Sequence, residues 1–374
     1  MPGVEHVDAG RAASAAVRTS AALPESLREG LSRPQLPGLD GLRAISAFLV
    51  VFYHAGSPLV PGSLGVLAFF VISGFLITWL LLKEYEKYGD VSLKLFYIRR
   101  SLRIFPAFYV YWAGVVGMLW LSHKRLVWPQ AIASLLYVNN YYQAINGDPN
   151  TALSHTWSLG VEEQFYLLWP LAFVWMAGNR ERLMKVLAAA IVVVWIHRLT
   201  LHFAGVDQGY IYESFDTRAD HLLIGCLLAV TLRLGKLPGL WKWLCANTGM
   251  PALTFALLIG SSVLNNTIAG YRDTVGFVVE PLLVAALITQ LVALSGTALW
   301  SWVNVRWVRY LGRISYSVYL YQQIVPGFVD KALPQAPMLI RLLCSVVAVT
   351  AAASASYFFV ERPFLKLKDR LATR

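Results

Sequence analysis

The run Leu64-Gly65-Val66-Leu67-Ala68-Phe69-Phe70-Val71-Ile72-Ser73-Gly74-Phe75-Leu76-Ile77-Thr78-Trp79-Leu80-Leu81-Leu82 is nineteen residues long, carries no charge, and stops at Lys83-Glu84. As a helix it would reach about 28 Å, close to the ~30 Å hydrocarbon thickness of a bilayer. It therefore reads as a membrane span. Nine further stretches read the same way, giving ten in all: approximately 39–57, 64–82, 104–121, 157–177, 184–204, 217–234, 249–266, 275–295, 314–331 and 338–360. A shorter apolar piece, Ala131 to Tyr142, cannot span and is expected to be re-entrant or interfacial, with protein or water covering its polar groups.

Composition agrees with a lipid solvent. Of the 374 residues 57% are hydrophobic and 14% charged, against about 25% charged in soluble domains. This argues against a soluble enzyme, and 13 Trp, 18 Tyr and 18 Phe argue against a disordered chain. The formal charge of +11 could suggest nucleic acid, but its placement gives another cause. With the N-terminus inside, 25 of the 32 Lys and Arg fall in the segments 1–43, 83–103, 178–185, 232–248, 297–313 and 361–374. That is the positive-inside distribution, so both termini are expected to be cytoplasmic and no nucleic-acid partner is needed.

The expectation is an all-α, polytopic helical bundle of about ten transmembrane helices with a short re-entrant segment. Residues 1–37 are expected to be a flexible cytoplasmic tail with a short amphipathic piece near Leu27, 38–365 the membrane domain, and 366–374 a second cytoplasmic tail. The tail lacks the apolar core of a signal peptide. Cys226, Cys245 and Cys344 are odd in number and dispersed, so neither a disulfide framework nor a metal site is expected.

An ionisable side chain inside a span costs at least ~2.5 kcal/mol, so each one asks for a reason. Arg43 enters the first span, and Arg99, Arg100 and Arg103 open the third, with Arg99 and Arg103 one helical turn apart. Guanidinium groups so spaced can hold phosphate bidentately, although juxtamembrane arginines also serve simply as topogenic charge. His54 follows Arg43 by eleven residues, which returns to almost the same helix face about 16 Å further along. That suits a ligand lying along the membrane normal, with an anionic part below and a reactive part above. Glu162 and Glu163 are expected nearer the outer face, as are Arg218, Asp220 and His221. Salt bridges holding the bundle and a direct role in catalysis or acceptor binding both stay open for these residues. Glu280-Pro281 reads as a kink with a hydrogen-bonded acid. No phosphate loop, HExxH or GxSxG pattern occurs, so a hydrolase triad is not supported.

Seven motifs in order are similar to those of the membrane acyltransferase 3 family. They are Leu39-Asp40-Gly41-Leu42-Arg43-Ala44 with Tyr53-His54; Phe69 to Ile77; Arg99-Arg100 with Arg103; His155-Thr156-Trp157-Ser158-Leu159-Gly160-Val161-Glu162-Glu163-Gln164-Phe165-Tyr166; Phe215 to Asp220; Ile314 to Leu320; and Glu361-Arg362-Pro363-Phe364. The resemblance covers about residues 37 to 365. It departs at Leu67, where the family often has Asp, and at Gln322, where it often has His.

The resemblance implies a multi-pass enzyme of the bacterial inner membrane. Such an enzyme moves an acyl group, usually acetyl, from cytoplasmic acyl-CoA to a hydroxyl of an extracytoplasmic sugar or, in some members, a glycoside such as a macrolide. The partners expected are acyl-CoA, a carbohydrate or glycoside acceptor, membrane lipid and no nucleic acid; a homo-oligomer is compatible with the sequence. The extra esterase-like domain of some members is not expected. In this reading Arg43, Arg99, Arg100 and Arg103 bind the CoA phosphates, His54 is the base, and Glu162 or Glu163 orients it or holds the acceptor. Arg218 and Asp220 bind substrate, and acyl-CoA is the donor with no metal. Acyl transfer needs a base for the hydroxyl proton and a stabilised oxyanion; attack by His54 to give an acyl-enzyme is the other route. A secondary transporter and a non-catalytic scaffold are the competing classes, and a transporter would not release CoA from acetyl-CoA in the presence of acceptor.

Overall fold

The computed structural model describes residues 22–57, 60–123 and 125–371. Most of the tail expected over 1–37, namely residues 1–21, lies outside these, as do Lys124 and the last three residues of the tail expected over 366–374. Among the described residues every regular element is helical. In chain order they are α1 (Glu25–Ser32), α2 (Leu39–His54), α3 (Gly62–Tyr88), α4 (Leu93–Leu121), α5 (Trp128–Leu135), α6 (Asn139–Asn146), α7 (Thr156–Met176), α8 (Arg180–Phe203), α9 (Gln208–Glu213) and α10 (Phe215–Arg233). They continue as α11 (Pro238–Leu244), α12 (Met250–Thr267), α13 (Phe277–Leu294), α14 (Arg306–Arg313), α15 (Ser315–Tyr321), α16 (Val325–Ala332), α17 (Met338–Ser356) and α18 (Arg362–Leu371).

Each expected span falls on helix, but not each is one long apolar helix. Among the described residues five are long and apolar enough to cross a bilayer: Gly62–Tyr88, Leu93–Leu121, Arg180–Phe203, Arg272–Leu294 and Met338–Leu371. A sixth results if Gln208–Arg233 and Pro238–Leu244, bent by 108°, form one broken span. The shortfall has local causes. Helix α2 is only 16 residues long. Helix α7 carries Glu162, Glu163 and Gln164, and α12 carries paired serines and asparagines. The single span expected over 314–331 is instead two short helices, α15 and α16, separated by the turn at 322–324.

The amphipathic piece near Leu27 is a docked helix, where the sequence reading had a flexible tail: Leu27 and Leu31 of α1 are buried, and Gly30 abuts Val292 of α13. The segment expected to be re-entrant or interfacial is the pair of short helices α5 and α6, turned at Tyr137 with φ 57°. Several of its polar groups are met by protein, whereas the Tyr137 hydroxyl, Asn139 Oδ1 and Gln143 Oε1 are buried without a hydrogen-bond partner among the described residues. Asn139 donates to Thr156 Oγ1 at 2.9 Å, and Gln164 donates to Asn140 Oδ1 at 2.9 Å and to the Tyr137 carbonyl at 3.0 Å.

Helix α3 is the central element, with 78% of its apolar window buried, whereas the value for α8 is 11%. The outward residues of α8, among them Val193 and Phe203, are apolar and exposed, as a lipid-facing surface requires. Helices α3 and α10 approach at two glycines. A Cβ on Gly74 would lie 1.9 Å from the Leu222 carbonyl oxygen, and one on Gly225 2.1 Å from that of Val71. Backbone meets backbone there, so neither side can yield. Gly225→Val should destabilise the fold by at least about 1–3 kcal/mol, the range for overpacking. Thermal unfolding in detergent measures this, and an unchanged midpoint would contradict the crossing.

Candidate active site

Arg43 is presented by a fixed helix end. The Gly38 N–H donates to Asn304 Oδ1 at 2.8 Å. Gly312 of α14 sits on the Asp40 backbone, where a Cβ would be 2.0 Å from the carbonyl oxygen. One turn further on, Arg43 enters a cavity of about 310 Å³ bounded by α2, α3, α4, α7 and α15, with Lys368 of α18 also on its wall.

Four arginines and two glutamates singled out from the sequence line this one cavity: Arg43, Arg99, Arg100, Arg103, Glu162 and Glu163. For Glu162 and Glu163, expected nearer the outer face than the arginines, this is a correction: they share the arginines' cavity. Arg100 Nε lies 3.8 Å from Glu163 Oε1, and its guanidinium covers the Tyr166 ring at 3.4 Å. Arg100 is seven residues inside α4 and Glu163 seven inside α7, about 10 Å along each helix; the two long side chains cover the remaining separation.

Partners the sequence reading missed complete the cluster. Arg99 Nη2 pairs with Glu84 Oε2 at 2.6 Å, and Ser73 donates to Glu162 Oε1 at 2.7 Å. Ser73 lies in the uncharged run that defines the span, and its neighbours give no sign of a polar role. Tyr316 and Tyr319 of α15 also line the cavity. Tyr316 donates to the Ile104 carbonyl at 3.0 Å, while the Tyr319 hydroxyl meets Ser158 Oγ and donates to the His155 carbonyl at 3.2 Å. The walls between these groups are apolar, including Val66, Ile72, Leu76 and Leu81. A charged head and an elongated apolar body are what such a space accepts.

His54 ends α2 and does not line the cavity. His155, whose ring lies edge-on to Tyr111 and to the cavity-lining Tyr319 at separations of 5.5 and 5.6 Å, is buried within electrostatic range of His54. The departures noted in the sequence are both buried: Leu67 is part of the apolar core, and Gln322 is fully enclosed.

Arg218 and Asp220 lie elsewhere. Asp220 is held by Arg198 Nη2 at 2.8 Å and by His221 Nδ1 at 2.8 Å, all three side chains being fully buried. Arg198 appeared in the sequence only as a stray basic residue inside a span, yet that is the signal that an acid must be near. Arg218 is also sealed. Its guanidinium lies over Phe277 at 3.9 Å and near Tyr212 at 5.1 Å, and among the described residues none of its nitrogens has a hydrogen-bond partner. Ring faces supply part of the missing solvation. Glu280 is the hydrogen-bonded acid expected, accepting from Ser261 at 3.0 Å and Asn265 at 2.7 Å.

An all-helical, membrane-suited bundle around a charged internal cavity defines a class that sequence comparison makes specific. The chain belongs to the membrane acyltransferase 3 family, whose acyltransferase domain matches residues 36–357. It is 30% identical to "Peptidoglycan O-acetyltransferase OatA" of Listeria monocytogenes over 355 residues, covering 90% of this chain and 56% of that protein. It is 31% identical to "Putative peptidoglycan O-acetyltransferase YrhL" of Bacillus subtilis, covering 88% and 54%. It is 33% identical to a protein named "Putative O-acetyltransferase" in Staphylococcus aureus, covering 88% and 57%. The chain thus spans about half the length of the curated relatives it matches. No solved structure matches it.

Removing one partner of a buried ion pair costs about 3–5 kcal/mol. Asp220→Ala, which strands Arg198, should lower stability by that amount in detergent unfolding. A near-native midpoint would show that the Arg198 charge is compensated elsewhere.

Proposed function

We propose that this chain transfers an acyl group, most simply acetyl, from cytoplasmic acyl-CoA to a hydroxyl of an extracytoplasmic cell-wall glycan. The observation that carries the reading is the single cavity joining Arg43 and Arg103 to Glu162, Tyr319 and an apolar sleeve, in a family whose named relatives acetylate peptidoglycan. The topology that goes with it is ten traverses of the bacterial cytoplasmic membrane with both termini inside, which rests on the distribution of Lys and Arg.

In this reading Arg43 and Arg103 hold phosphate, while Arg99 and Arg100, engaged by Glu84 and Glu163, keep the cavity wall in shape. The pantetheine arm follows the apolar sleeve toward Glu162 and Tyr319. The acceptor hydroxyl arrives from the other side, beside His54. His54 takes the hydroxyl proton as the oxygen attacks the thioester carbonyl; the tetrahedral oxyanion then collapses, the C–S bond breaks, and the proton passes to the departing thiolate. The Tyr319 hydroxyl, on turning from the His155 carbonyl to which it donates in the free protein, becomes a donor for the oxyanion. Arg218 and Asp220 serve the shape of the acceptor side rather than contacting the donor.

A transporter of the same architecture would bind but not consume a thioester. The test is purified protein in liposomes with acetyl-CoA inside and a muropeptide outside. The expected result is free CoA together with an acetylated sugar, and binding without thiol release would support transport instead. His54→Ala should lower transfer by about 10²- to 10⁴-fold, the usual contribution of a general base, with CoA binding retained. Arg103→Ala should chiefly raise the KM for donor. Wild-type turnover in His54→Ala would remove His54 from the mechanism.

A further inference from the structure

A second cavity, of about 470 Å³, adjoins the first and shares with it Arg43, Arg103, Leu76, Leu80 and Lys368. Its other cations are Lys83 at the inner end of α3, Arg313 at the end of α14, and Arg362 and Lys366 on α18. Against these seven basic side chains stand three acids, Asp40, Glu361 and Asp369. Glu361 is held by the Ser317 hydroxyl, and Asp369 lies 3.3 Å from Lys368. The first cavity is nearer balance, with five basic side chains against Glu84, Glu162 and Glu163. The surplus positive charge therefore belongs to the second space.

We infer that this second cavity is the subsite for the nucleotide end of the donor, an adenosine 3′-phosphate 5′-diphosphate, with the basic face of α18 as one of its walls. The inference rests on the acyl-CoA reading above and extends it to residues with no role in that reading. Three features fit the ligand's chemistry. The shared Arg43 and Arg103 stand at the junction, where the diphosphate would pass from one space to the other. Arg362 and Lys366, one turn apart on α18, offer two cations for the separate 3′-phosphate. The half-buried ring of Tyr357 on the cavity wall offers a face for the purine. The slender pantetheine arm then occupies the apolar sleeve of the first cavity, the smaller of the two and the one with the smaller surplus of positive charge.

The test compares three donors in full-length protein: acetyl-CoA, acetyl-dephospho-CoA and acetyl-pantetheine. In the wild type the KM of acetyl-CoA should be at least tenfold below that of acetyl-pantetheine, with acetyl-dephospho-CoA between them. In the double variant Arg362→Ala with Lys366→Ala that advantage should fall below threefold. The charge-preserving pair Arg362→Lys with Lys366→Arg should keep it, which separates lost charge from lost folding. A parallel binding titration uses adenosine 3′,5′-bisphosphate, in phosphatidylcholine and in phosphatidylglycerol nanodiscs. Binding in both, weakened at least tenfold by the double alanine variant, supports the subsite even if no thioester is consumed, an outcome that would overturn only the reaction. An undiminished acetyl-CoA advantage in the alanine variant overturns the subsite, as does nucleotide binding abolished by phosphatidylglycerol, which would assign the cavity to a lipid headgroup.

Discussion

A guanidinium inside a helical bundle must be met by a carboxylate, an aromatic face or water, and the architecture turns on how each buried arginine is met. Two solutions coexist. Arg198, Asp220 and His221 form a dry cluster with all three side chains at 0% exposure. Arg99 and Arg100 are paired too, yet their side chains keep 31% and 21% exposure because they border a cavity. The first arrangement fastens α8 to α10. The second leaves charge where a ligand can reach it.

This contrast separates structural from functional polarity within one membrane domain. Close backbone approach at Gly74 and Gly225 locks α10 to α3, and the sealed cluster locks α8 to α10. On the other side of α3, Ser73 meets Glu162 of α7 through a hydrogen bond bordering open space, and Trp169 of α7 donates to Thr78 at 2.9 Å. Helix α3 is thus rigid toward one neighbour and lined with a cavity toward another. An acyl donor threaded along that cavity would meet fixed walls, which favours orientation of the thioester over adaptation to it.

Much of the fold was legible because hydrophobic run length is a strong signal in lipid. The apolar runs place nearly every long helix, and the polar end of the 131–142 segment marks it as non-spanning. What local pattern could not show is tertiary. Apolarity gives no measure of depth when helices tilt and break, so local pattern places Glu162 and Glu163 far from Arg100, although Glu163 is its partner. Glu84 lay in a basic juxtamembrane stretch with nothing to single it out, and Ser73 in an apolar one. Arg198 carried the opposite lesson: a lone cation within a span implies an acid, and Asp220 answered it. The break between α15 and α16 hides in a segment whose composition alone suits a continuous span.

The central claim is that the arginine-lined cavity is wet and open to one face of the membrane. The direct measurement is thiol labelling of Leu76→Cys, a residue common to both cavities, in a cysteine-free background and sealed vesicles of known sidedness. A membrane-impermeant, negatively charged methanethiosulfonate should react from the cytoplasmic side only, and acetyl-CoA should slow the reaction at least tenfold. Absence of labelling from either side, in protein that still unfolds cooperatively, would mean a dry interior and would contradict the account.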